Sequence, residues 1–112
     1  MRKEDFFRTL KEYFSEKDIE SVISWIYLEE GDEITEKSVE DFLLHLPDVE
    51  VKRGNYSYRC LGDDVGVIDE NGRKGKIECE WSAYKKFFSI LEGTDPVQAG
   101  WKIEWEKRNG KI

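Results

Sequence analysis

Val49-Glu50-Val51-Lys52-Arg53-Gly54-Asn55-Tyr56-Ser57-Tyr58-Arg59-Cys60 is the stretch in which the hydrophobic period of the chain changes. Before Pro47 the apolar residues recur every three or four positions; from Val49 they alternate with polar ones, which is the period of a strand. If Gly54-Asn55 are the central pair of a type II′ turn, Arg53 faces Tyr56, Val51 faces Tyr58 and Val49 faces Cys60. The same register sets Glu50 opposite Arg59. One face of the hairpin is then apolar and the other carries an opposite-charge pair, so turn chemistry, hydropathy and charge agree.

Upstream of this hairpin the spacing predicts three helices. Phe6, Phe7, Leu10 and Phe14 form one stripe from about Lys3 to Ser15. Ser15, three residues before Asp18, offers a cap for a second helix. Ile19, Val22, Ile23 and Ile26 then continue as a stripe that Trp25, Tyr27 and Leu28 broaden, up to a C-terminal cap at Gly31. A helix apolar over so much of its circumference belongs in the centre of a core. Thr35 caps a third helix with Val39, Phe42, Leu43 and Leu46 on its buried side, and Pro47 stops it.

Downstream, Val65 to Asp69 and Lys76 to Trp81 flank Asn71-Gly72, a second hairpin signal. Ser82 is placed to cap a fourth helix lined by Tyr84, Phe87, Phe88 and Leu91 and closed by Gly93. After Asp95-Pro96, Trp101, Ile103 and Trp105 alternate with Lys102, Glu104 and Glu106 as a last strand. The 16 residues from Ser82 to Val97 suffice for a helical crossover, so this strand is expected parallel to its predecessor. The fold class is α+β in a single domain over residues 1–112: three N-terminal helices packed on a small, mostly antiparallel sheet of about four to five strands, with a fourth helix before the last strand.

Composition narrows the function classes. No stretch approaches the apolar length that spans a bilayer, and no secretory signal opens the chain, so a cytoplasmic location is expected. Charged residues make up 38%, against about 25% on average. With one Gln, one His and Met1 as the sole Met, this is a thermophile-like composition. The corresponding expectation is a melting midpoint above the mesophile range; a scan at or below about 65 °C sinks it.

The net charge of −7 is unevenly divided: residues 1–45 carry 6 Lys and Arg against 13 Asp and Glu, and residues 46–112 carry 12 against 12. Such an acidic first half repels phosphate backbones and keeps the protein soluble.

Little in the chain points to catalysis. There is no phosphate loop and no nucleophile elbow, and His45 alone titrates near neutrality, at the end of a helix. Cys60 and Cys79 have no partners in metal-ligand spacing and read as buried thiols. Asp63-Asp64 and Asp69-Asn71-Gly72 are fragments of a calcium loop without its full pattern, and read as turns. The expectation is no catalytic residue, no metal and no cofactor.

Two binding readings remain. The helix, helix, helix, hairpin order is that of a winged helix, with residues 49–61 as wing and Lys52, Arg53 and Arg59 on it for phosphates. Glu36, Lys37, Glu40 and Asp41 on the helix that would enter the groove, and the net charge, count against a nucleic-acid-binding regulator of that kind. Tyr56, Tyr58, Trp101 and Trp105, with Arg59 and Lys102 nearby in sequence, could instead form a stacking platform, against which stands their use as the core face of the sheet. If helices cover only one face, some of Val65, Val67, Trp101 and Trp105 stay exposed on the other and mark an interface. The favoured reading is therefore a protein-protein interaction or regulatory module that self-associates, as a homodimer through the sheet or the final strand, or docks on another protein.

Overall fold

In the computed structural model, which describes residues 1–24, 26, 33–79 and 82–107, backbone contacts divide the chain into a helical unit, Met1–Val49, and a sheet unit, Glu50–Ile112. The boundary falls where the hydrophobic period changes.

Three helices of the first unit form for the reasons their sequences suggest. In α1, Lys3–Tyr13, the i, i+4 spacing buries Phe6 and Leu10, and Phe14 beyond it. The Ser15 hydroxyl accepts the Asp18 N–H at 3.1 Å and so starts α2, Glu16–Ile23. Thr35 does the same for α3, Glu36–His45, accepting from Ser38 N at 3.2 Å. Phe6, Phe7 and Phe42 meet edge to face at 5.3–5.6 Å, the offset geometry that aromatic quadrupoles favour. The segment at residues 33–34 joins α1 through an antiparallel bridge between Arg2 and Glu33.

α2 departs from expectation. It ends at Ile23 with Ser24 as its C-cap, and Ile23 is exposed rather than part of a buried stripe. The expected continuation through Trp25, Tyr27 and Leu28 to the cap at Gly31 lies outside the described residues.

The sheet unit is a meander of five antiparallel strands in the order β1-β2-β3-β4-β5: Val51–Arg53, Tyr56–Cys60, Asp64–Ile68, Lys74–Glu78 and Glu104–Trp105. Arg53 pairs with Tyr56 and Val51 with Tyr58, as the hairpin reading requires. Gly54 has φ +61° and no described non-glycine residue has positive φ, which fits a type II′ turn and excludes type I′. The ladder stops at Val51, so the expected Val49–Cys60 and Glu50–Arg59 pairs lie beyond it.

The third connection explains a shift in β4. Asp69 Oδ1 accepts from Asn71 N at 2.9 Å and Arg73 N at 2.8 Å, while Asp69 N–H donates to Arg73 O. With Gly72 at φ +84°, this is a three-residue loop in which a left-handed glycine closes a type I turn. Strand pairing therefore resumes at Lys74, two residues earlier than expected. Asp64, expected in a turn, instead opens β3 and meets Lys76 at 3.8 Å.

α4, Ala83–Leu91, lies on one face of the sheet, touching β1, β2 and β3. Its C-terminus is closed as expected: Gly93 N donates to Ile90 O and Thr94 N to Ser89 O, both at 3.0 Å, the paired bonds of a Schellman motif. At its start the expected cap is not made: Ser82 Oγ is buried without a hydrogen-bond partner, and Lys86 N donates to Ser82 O at a long 3.4 Å.

The expected parallel last strand is also overturned: β5 is antiparallel to β4. α4 begins near the β2–β3 turn, where a Cβ at Gly62 would lie 3.7 Å from Tyr84 Oη, and its last carbonyls lie at the Arg53 end of the sheet. Residues 92–103 then run back through turns at Pro96 and Gly100 before pairing begins at Glu104. That return reverses the direction a helical crossover alone would impose. It also takes Trp101 out of the strand.

Candidate functional site

Cross-strand partners in an antiparallel sheet share a face, so the ladders sort every strand residue. Val51, Arg53, Tyr56, Tyr58, Cys60, Val65, Val67, Gly75, Ile77 and Trp105 lie on the α4 side; Lys52, Ser57, Arg59, Asp64, Gly66, Ile68, Lys74, Lys76, Glu78 and Glu104 lie on the other. Val65 and Val67 are fully buried. The expectation that some of them would be exposed on the uncovered face is thus corrected, because every large apolar strand residue except Ile68 falls on the side that α4 covers. The aromatic candidates share that side. Tyr58 is fully buried and offers no stacking surface, while Tyr56, Trp101 and Trp105 are half-buried.

Trp105 is held by three neighbours. Tyr56 meets its ring edge to face at 5.4 Å, and the Arg73 guanidinium stands 5.0 Å from its centroid. Below it is Gly75, where an added Cβ would lie 2.9 Å from Trp105 Cε3 and 2.9 Å from the Glu104 carbonyl. A glycine inside a strand commonly marks such a close approach, and here it lets Trp105 lie across β4. Trp101 carries Lys86 Nζ 4.8 Å above its ring.

The cationic candidates, Lys52 and Arg59, are exposed on the opposite face with Lys74 and Lys76. Glu78 and Glu104 share that face, and Glu104 pairs directly across from Lys76. Its charges therefore alternate instead of forming a basic field. The 51–60 hairpin is joined to β3 from Ser57 to Cys60, so Lys52 and Arg59 belong to a sheet face and not to a projecting wing. The acidic excess resides in the helical unit: residues 1–49 carry 6 Lys and Arg against 14 Asp and Glu, and residues 50–112 carry 12 against 11.

The two edges of the sheet are treated differently. In a two-residue hairpin Arg53 and Tyr56 are the hydrogen-bonded pair, which turns the Lys52 carbonyl off the edge. Arg53 Nη1 donates to that carbonyl at 2.9 Å, and Nη2 donates to Ile90 O at 2.8 Å. One guanidinium thus occupies the outward carbonyl of the β1 edge and satisfies a terminal carbonyl of α4. Removing it as Arg53→Met is expected to cost about 1–2 kcal/mol in a urea titration; a loss under about 0.3 kcal/mol would mean that these bonds merely replace water. At β5, Glu106 N donates to Lys74 O at 2.9 Å. By alternation the N–H and C=O of Trp105 point away from β4, and no described strand pairs with them.

Other features offer less. A shallow notch of about 310 Å³ between Asn71, Arg73, Lys74, Glu106 and Lys107 adjoins the β5 end. A groove of the same size lies between α1 and α2, lined by Phe7, Ile19 and Ile23 with Lys11, Glu16 and Glu20. Cys60 and Cys79 are half-buried rather than buried, and burial pushes the Cys79 thiol upward in pKa despite the opposing effect of Lys86. His45 is exposed at the end of α3. Among the described residues no three potential metal ligands gather, and no helix is long and apolar enough to cross a membrane.

Arg53 and Gly75 were missed as determinants of this site. Gly75 had a signal, a glycine between Lys74 and Lys76; Arg53 had none for its tie to α4, since the Ile90 carbonyl is 37 residues away. No protein-family model, curated protein or solved structure matches the chain.

Proposed function

We propose that this chain is a non-catalytic interaction module that self-associates through its sheet. The observation that carries this reading is the asymmetry of the edges. Arg53 occupies the outward Lys52 carbonyl of the β1 edge, whereas β5 presents outward backbone groups beside half-buried Trp105 and Ile103. Exposed edges invite strand pairing unless they are blunted, and partly covered tryptophan gains most from further burial at an interface. The alternating charges around Lys52 and Arg59 suit a protein surface better than a phosphate backbone.

Sedimentation equilibrium of the full chain tests this from low to high micromolar concentration. A dimer mass little changed between low and high salt is the expected result, and a monomer throughout overturns it. Retention on immobilised DNA or RNA at near-neutral pH, lost as salt rises, would favour the winged-helix-like alternative, because phosphate contacts release counterions.

A further inference from the structure

We propose that β5 pairs antiparallel with β5 of a second copy about a twofold axis at Ile103. This rests on the self-association reading and adds the register. The segment Trp101-Lys102-Ile103-Glu104-Trp105 is complementary to itself when reversed. With Ile103 facing its own copy, Lys102 lies opposite the partner copy's Glu104, and Trp101 lies opposite the partner copy's Trp105.

The backbone suits this register. Trp105 points its N–H and C=O outward, and the register extends that alternation to Ile103, two residues away and just before the strand. Ile103 can exchange both bonds with its copy. Trp105 N–H can reach the partner copy's Trp101 carbonyl, whose own N–H is used on Pro96 O at 2.9 Å. Side chains agree as well: Lys102 and Glu104 are exposed, whereas Trp101, Ile103 and Trp105 are half-buried together on the α4 side. A register centred on Trp105 would instead set Glu104 against the partner copy's Glu106, and one centred on Glu104 would set it against itself. Charge therefore selects Ile103, since like charges directly opposite are unfavourable and opposite charges favourable. On the other edge of the sheet the outward Lys52 carbonyl is already taken by Arg53.

Charge swaps test the register in the full chain. Lys102→Glu and Glu104→Lys alone should each weaken the dimer about tenfold or more, as two cross-strand attractions become repulsions. Lys102→Glu/Glu104→Lys should restore it, and mixing the two single variants should give mostly heterodimer by native mass spectrometry. Circular dichroism checks that each variant folds, because Glu104 also faces Lys76.

A second measurement avoids charge altogether. In a Cys60→Ala/Cys79→Ala background, Ile103→Cys should cross-link to itself under mild oxidation, since paired residues lie within disulfide reach, while Lys102→Cys should not. A wild-type dimer indifferent to the swaps, with no cross-link at position 103, overturns this register and leaves self-association standing. A wild-type chain that stays monomeric sinks both.

Discussion

Gly75→Val should release β5 from the sheet and lower stability by about 2–3 kcal/mol, whereas Gly66→Ala should change it by no more than about 1 kcal/mol. Both glycines sit in strand interiors, and neither has positive φ, so backbone strain does not separate them. What separates them is the neighbour. A Cβ at Gly75 would lie 2.9 Å from the Glu104 carbonyl, which is backbone, and also 2.9 Å from a Trp105 ring held by Tyr56 and Arg73. Neither can yield without β5 moving. A Cβ at Gly66 would meet Leu61 Cδ1 at 3.1 Å and Cγ at 3.2 Å, on a residue that is 59% exposed and has room to turn away. Urea titrations of the two variants check the contrast, and equal losses would mean that β5 is not seated on Gly75. Because the proposed interface lies on β5, Gly75→Val should also abolish dimerisation while Gly66→Ala spares it.

Tyr58 should give the largest single loss in the sheet unit on truncation and nearly none on loss of its hydroxyl. Tyr58→Ala empties a fully buried aromatic site at the centre of β2 and should cost about 3–5 kcal/mol. Tyr58→Phe keeps the packing and removes a hydroxyl that is buried without a hydrogen-bond partner. Its effect at neutral pH should lie between zero and a gain of about 1 kcal/mol, the unmet desolvation of that oxygen being relieved.

Burial, with smaller contributions from Asp95 and Tyr56, pushes the phenol from 10 up to about 12. The folded state therefore holds the proton that the unfolded chain releases first. This contribution is complete below pH 10 and is lost as pH rises through about 12. Urea midpoints across that window should fall more steeply for the wild type than for Tyr58→Phe, and parallel curves would refute the argument.

Local chemistry was legible wherever its partners lie close in the chain. The Ser15 and Thr35 caps, the Gly54-Asn55 turn with its Val51–Tyr58 register, and the Gly93 ending of α4 each depend on residues within a turn or two. Two local readings failed for physical reasons. Ser82 has the right residue type at the right place, but its hydroxyl is buried without a partner. The Asn71-Gly72 signal named a hairpin correctly, yet Asp69 collected two backbone donors and advanced the register of β4.

The candidate site was legible in composition and not in arrangement. Trp101, Trp105, Tyr56 and Tyr58 could be named as aromatic strand residues, while their division into a buried Tyr58, a Tyr56–Trp105–Arg73 cluster and a Trp101–Lys86 contact depends on distant segments meeting. Lys52 and Arg59 were readable as exposed cations; that carboxylates from β4 and β5 share their face was not.

Sequence alone determined the succession of elements, the change of period after Pro47, the hairpins and the concentration of negative charge in the helical half, because these follow from residue spacing and side-chain chemistry a few positions apart. Tertiary structure decided the direction of β5, the face that α4 covers and the tie that Arg53 makes from the β1 edge to α4. Each of these turns on contacts between residues tens of positions apart, where chain connectivity permits several arrangements and only packing against Gly75, α4 and the Arg53 guanidinium selects one.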